Sequence, residues 1–427
     1  ALNRSPDELC HIEKGVVMTY RVIKGAGLED IRTKEKTDII RERSIMEQKE
    51  GRMEDLGMFD EIDENGEKIE KKVAAAEGVG PDDVLSAAGE QKGEAWTAVE
   101  EGEKKPDRWV AFTLVLVPDL FMTLDTLQKH FEQLLTKYPH SRIVAVGLPG
   151  LPNTVWPAGW TLNSDLHARS IAHLMQFLRK TKRLSPMIGE PIYFMGFGTG
   201  AHTLSRFAAN YLPAMRWLED LTRCVIFVNG LVKYNKAFRQ VCKDLRSSLV
   251  QAGPHEVNEL ITSLHFWDQF MDLHGKSDVL SNFWETRRGL TNEDMASTQK
   301  GLGYVGILEQ LKGILTNTDD FDGAAVLTSN LPVLVVQSTE DVFVNPRNAA
   351  IFQTERLPPE RNLVTEVVDA LDENAVHVAW LQAGHEVIQE RTPFLLGLIS
   401  NLAQMCGVHP VLPPEGSIVE EDEEEIF

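Results

Sequence analysis

The chain is short of cysteine, of positive charge and of long apolar runs, and each shortage closes off a class of function. Its four cysteines, Cys10, Cys224, Cys242 and Cys406, lie far apart with no C-x-x-C pair among them. Neither a disulfide framework nor a zinc site fits that spacing, so a reducing, cytoplasmic setting and no metal or other cofactor are expected. No apolar stretch approaches the length of a membrane span and no signal-peptide pattern opens the chain, so no membrane insertion is expected. The sequence begins at Ala1 rather than Met, which reads as a processed chain or a piece of a longer one. Lysine and arginine number 43 against 64 acids, for a net charge of −21. That balance leaves no basic footprint for nucleic acid.

What is present divides unevenly along the 427 residues. Residues 1–108 hold 27 acids and 18 bases, residues 109–414 hold 30 and 25, and residues 415–427 hold seven acids and no base. Residues 14–25 alternate and are rich in β-branched side chains, which predicts one strand or a short hairpin. Residues 28–55 are dense in charge with few large apolar residues, which predicts a solvated helix with little core of its own, and residues 60–106 hold stretches such as DENG and EGVGPDD, a composition of linker or disorder. From 108 onward, apolar runs alternate with helical spacing. Strands are predicted at 109–118, 142–150, 191–196, 224–230, 331–341 and 376–386. Helices are predicted at 123–138, 164–181 (with Ser164 or Asp165 as N-cap), 201–212 and 392–406. Residues 231–325 read as mainly helical. The expected organisation is a strand segment at 1–27, an acidic insertion at 28–107, the first part of a doubly wound sheet at 108–230, a helical cap at 231–328, the second part of the sheet at 329–408 and an acidic tail at 409–427.

One stretch within that alternation carries the functional reading. PIYFMGFGTGAHTL (191–204) fits the strand, tight turn and helix of the nucleophile elbow of an α/β-hydrolase, whose pattern is G-x-S-x-G. Gly196 and Gly200 stand at the outer positions, and Gly198 stands where the serine belongs. Glycine tolerates the elbow's backbone angles but offers no atom to attack a carbonyl. The other two members of a triad follow in the expected order, Asp341 after one buried strand and His385 after the last. With no nucleophile, plainer roles are expected for both: Asp341 as a loop acid capping the next helix, His385 as a turn histidine bonded to backbone. Thr199 is expected to turn its side chain away from the cleft and to offer its N–H to an oxyanion. His202 is a candidate either for holding a ligand or for packing.

The glycines also fit a relaxed dinucleotide pattern, Gly196-x-Gly198-x-x-Ala201. The next strand, however, ends in Asn229-Gly230 rather than in an acid for a ribose. DENG at 63–66 suggests a calcium loop, but its acids are not spaced as that loop requires, and a hairpin turn explains it.

Three stretches resemble the N-myc downstream-regulated (NDRG) family. They are VGLPGLPNTVWPAGWTLNSDLHARSIAHLM (146–175), GFGTGAHTLSRFAANY (196–211) and NFWETRRGL (282–290). The resemblance covers about residues 108–405 and implies an α/β-hydrolase fold without hydrolytic activity, acting through protein or lipid contacts. The acidic insertion, the acidic tail, Asp341 and Gly384-His385 depart from that pattern. The combined expectation is an inactive module in an intracellular assembly, cytoskeletal or ciliary, whose protein partners meet residues 28–107 and the tail. Two alternatives remain: a small-molecule or lipid site in the cleft near Gly198, His202, Asp341 and His385, and a weak hydrolase in which His385 activates water.

Overall fold

A computed structural model describes residues 7–13, 16–26, 112–152, 154–157, 159–184, 190–231, 233–251, 254–287, 302–316, 321–328, 331–346 and 376–410. The insertion at 28–107, the DENG loop and the acidic tail from Glu415 lie outside these residues.

The sheet is built from β1 (Glu8–Glu13), β2 (Val16–Lys24), β3 (Thr113–Val117), β4 (Arg142–Gly147), β5 (Ile192–Phe197), β6 (Thr222–Val228), β7 (Val333–Ser338) and β8 (Val376–Leu381). Their spatial order is β1-β2-β4-β3-β5-β6-β7-β8. β2 pairs antiparallel with both β1 and β4, and every other pairing is parallel. The alternating stretch at 14–25 is therefore one strand, β2, paired antiparallel with β1 before it. The continuous apolar runs predicted for the central strands are buried on both faces, as in β3 and β5. Lys24 of β2 and Thr113 of β3 both pair with Arg142. The described chain thus leaves β2 and re-enters at β3 at the same end of the sheet, far from the elbow.

One face of the sheet is covered by α3 (Ser164–Lys180) and α4 (Gly198–Asn210). The other carries α1 (Leu124–Phe131), α2 (Gln133–Lys137) and α12 (Thr392–Met405). A short α5 (Arg216–Glu219) precedes β6, and α11 (Val387–Glu390) precedes α12. The cap contains α6 (Lys236–Gln251), α7 (Pro254–His265), α8 (Asp268–His274), α9 (Lys276–Glu285) and α10 (Leu302–Thr316), and shares a third apolar cluster with Leu120, Phe121, Phe343 and Val344 from the loops after β3 and β7.

Two local readings change. The helix predicted at 123–138 breaks at Glu132 into α1 and α2, and Thr123 with Thr126 forms a capping box at its start. The cap of α3 is Asn163, whose side chain accepts from the Leu166 N–H at 2.9 Å, rather than Ser164 or Asp165.

Candidate functional site

β5 runs directly into α4, and the turn between them is the elbow. Gly198 sits at φ 49°, in the left-handed region that a β-carbon resists, and so opens the helix three residues before the sequence pattern places it. Gly200 lies so close to the Pro118 carbonyl that any side chain would collide with backbone. The corner predicted from sequence is present.

The position of a nucleophile is filled from elsewhere. Asp119, two residues beyond the end of β3, directs its carboxylate into the elbow and is 3 % exposed. Its Oδ1 accepts the Thr199 N–H at 2.8 Å and the Thr199 hydroxyl at 2.7 Å. Its Oδ2 lies 2.7 Å from Nε2 of His385. A β-carbon added to Gly198 would fall inside contact distance of this carboxylate. The residue after the nucleophile and the loop after β3 are the two sources of oxyanion donors in this fold. Here the first donor is engaged by a permanent anion held on the second segment, at the positive end of α4.

His385 and Asp341 are brought together as the triad order implies. Nδ1 of His385 lies 2.8 Å from Asp341 Oδ2, and Asp341 Oδ1 accepts the Val344 N–H at 2.7 Å. Asp341 thus holds a bend of its own loop as well as the imidazole, and the helix that it is expected to cap lies outside the described residues. The plain role read for His385 is overturned: its ring nitrogens face two carboxylates and not the backbone. Only a doubly protonated ring donates to both. Burial would lower the pKa of His385, but the charge of Asp341, bonds to both carboxylates and the charge of Asp119 raise it well above 6.5. Burial would likewise raise Asp119. The bond and charge of His385, with the two bonds from Thr199, bring it down to about 2.

The expected orientation of Thr199 is also overturned, because its hydroxyl points at Asp119 rather than away from the cleft. His202 packs: its Nδ1 lies 2.9 Å from the Leu231 carbonyl, and its ring lies 4.2 Å from that of Tyr234, centroid to centroid. The cavity between Thr199, Thr203, Tyr234 and Gln310 measures about 10 Å³. A single water needs about that much.

Three further residues, to which the sequence reading gave no role in the site, hold this arrangement. Asn229, at φ 49°, donates to the His385 carbonyl at 3.0 Å and accepts the Ser338 N–H at 2.8 Å, tying together the ends of β6, β7 and β8. Arg287, 1 % exposed, pairs with Glu386 and donates to the carbonyls of Phe121 (2.9 Å) and Phe283 (2.8 Å). Burial would raise Glu386, but the Arg287 charge leads the interactions that lower it to about 2. Of the missed residues only Asp119 left a usable signal, since an acid in PDLF directly after a buried strand sits where an oxyanion would have to bind.

Among the described residues no group of three or more His, Cys, Asp or Glu side chains is placed to hold a metal ion. No described helix is long and apolar enough to cross a membrane. The helix N-terminus that a dinucleotide phosphate would use carries the Asp119 carboxylate.

No protein-family model matches the chain, and no curated protein matches it. Solved structures do. BpoC from Mycobacterium tuberculosis H37Rv, assigned as a non-heme bromoperoxidase, aligns at TM-score 0.50 and 15 % identity over 69 % of this chain and 92 % of its own. A thermophilic esterase from Thermogutta terrifontis aligns at 0.49 and 14 % over 70 % and 91 %. An alpha/beta hydrolase fold protein from Chitinophaga pinensis aligns at 0.48 and 12 % over 92 % and 96 %. At 15 % identity the likeness to BpoC concerns fold alone, and with the strand order it gives this chain the α/β-hydrolase fold.

Proposed function

We propose that this chain is a catalytically inactive α/β-hydrolase-fold protein serving as a structural or adaptor subunit of an intracellular assembly. One observation carries the reading: the Asp119 carboxylate engages the Thr199 N–H and His385 Nε2 together. A triad needs that N–H for an oxyanion and that nitrogen as a base with a free lone pair. An imidazolium shared by two carboxylates has no lone pair to give. The cavity of about 10 Å³ weighs against the small-molecule reading, because it admits no acyl-like ligand.

The likeness to the NDRG family supports the same reading. The three stretches that carry it hold the loop under α10, the elbow itself and the segment containing Phe283 and Arg287. Protein partners are assigned to residues 28–107 and the acidic tail, in a cytoskeletal or ciliary setting.

Two measurements test this. The purified full chain, offered short-chain p-nitrophenyl esters, is expected to show no turnover above background. Turnover that His385→Ala abolishes would overturn the inactive assignment. Hydrogen exchange over residues 28–107 is expected to be unprotected in the isolated chain, and strong protection in a monomer would remove the partner-bound role.

A further inference from the structure

In a parallel sheet each helix-to-strand connection falls at the N-terminal end of the strands, opposite the elbow. Here those connections and their borders carry Lys137 at the end of α2, Lys180 at the end of α3, Arg216 on α5 and Arg223 in β6, all exposed. The acids on the same connections are Glu190, which is buried and paired twice with Arg142 at 2.8 Å, and Glu219 and Asp220. Arg183 is paired with Glu8. Arg179 lies 4.6 Å over the ring of Trp217, holding an aromatic beside Arg216. β4, β3, β5 and β6 are successive neighbours, so their ends span about 14 Å at the usual strand spacing, with Lys137 on the side of α2 and Lys180 and Arg216 on the opposite side with α3 and α5. A protein of net charge −21 therefore keeps a basic strip at this end.

The place where the described chain ends identifies an occupant. α12 runs back to this same end: the Tyr193 hydroxyl, at the start of β5, donates to the Leu402 carbonyl at 3.0 Å and lies 3.1 Å from Cys406 Sγ. The Arg223 charge acts on that same phenol. Residues 411–427 leave from there, with seven acids, no base, and six acids in a row at 420–425. The ten residues 411–420 reach about 35 Å when extended, and five more, to Glu425, cover about 17 Å, so the acidic run reaches across the strand ends. A tether this short holds the run near the rim at an effective concentration on the order of millimolar.

We infer that the acidic C-terminal segment docks on the basic rim formed by Lys137, Lys180, Arg216 and Arg223, shielding it until a more acidic partner displaces it. The inference is independent of whether the elbow is inert. Zero-length carbodiimide cross-linking of the full chain, which joins carboxylates to lysine amines, tests it. Cross-links from residues 420–425 to Lys137 and Lys180 are expected, independent of protein concentration. They should fall about fivefold as NaCl rises from about 0.05 to about 0.5 M. The double variant Lys180→Glu with Arg216→Glu, two exposed sites, is expected to lose the cross-link to Lys137 while keeping the circular dichroism of the parent.

The inference is overturned if the tail gives no cross-links at low salt, or if the variant keeps them. It is also overturned if the lysines join acids of residues 28–107 instead, or if a mixture of light and isotope-labelled chains shows the links to run between molecules.

Discussion

Gly198 and Asp119 are one unit split across 79 positions of chain. The carboxylate lies where a side chain at the elbow would stand, so restoring a serine alone creates overlap instead of a nucleophile. Gly198→Ser is expected to cost about 1–3 kcal/mol through overpacking and the positive φ, read from urea denaturation. Adding Asp119→Gly should return part of that stability and free the Thr199 N–H, so the double variant, unlike either single one, should react with a small fluorophosphonate probe. Equal instability of the single and double variants would refute the coupling. His385→Ala is expected to be the harsher change, at about 3–5 kcal/mol, because it leaves two buried carboxylates facing each other without their cation. A loss under 1 kcal/mol would mean that the ring is not the charged partner the geometry describes.

At the scale of elements, α10 closes the cleft by backbone contact. Gly306 and Gly313, two turns apart on one face, lie against the carbonyls of Gly150 and Leu162 so closely that no β-carbon fits. Gly306→Val is expected to lift α10 from this loop, enlarge the cavity beside Thr199 and raise hydrogen exchange across 302–316, with exchange in β3–β6 unchanged. Arg287 and Glu386 fasten the other side of the cap. Between them, these contacts keep the site shut without contributing to it chemically.

For the whole molecule, the buried charges set the response to pH, and their signs differ. Asp119 and Glu386 are held at about 2, below their ordinary 3.8 and 4.5. The stability they add is present above those ordinary values and is lost as pH falls toward 2. His385, held well above 6.5, adds stability that is complete below 6.5 and is lost as pH rises through its folded value. Glu390 is pushed up by burial from 4.5 to about 7, despite N–H bonds from Gly384 and Trp267, so its contribution declines between those two values. Glu390→Gln is therefore expected to flatten the fall in denaturation midpoint between pH 4.5 and 7 and to leave the acid limb below 4.5 unchanged. A slope unaltered by the substitution would show that another group titrates there.

Much of this was legible in the chain, for reasons that are local. Strands buried on both faces must be apolar runs such as TLVLV and IYFMGF. An elbow must have glycine where backbones touch, and Asp341 and His385 follow in the order that the parallel sheet lays out. Other features depended on contacts that no local pattern encodes. Asp119 is an ordinary loop acid until β3 and β5 are neighbours, and Thr199 has a reason to turn inward only once that carboxylate is beside it. His385 becomes an imidazolium because two segments 222 positions apart, at Asp119 and Asp341, close on its two nitrogens. Periodicity and spacing report which side chains are buried, whereas a charge state and a filled site depend on which buried groups meet, and that is settled when the sheet is assembled.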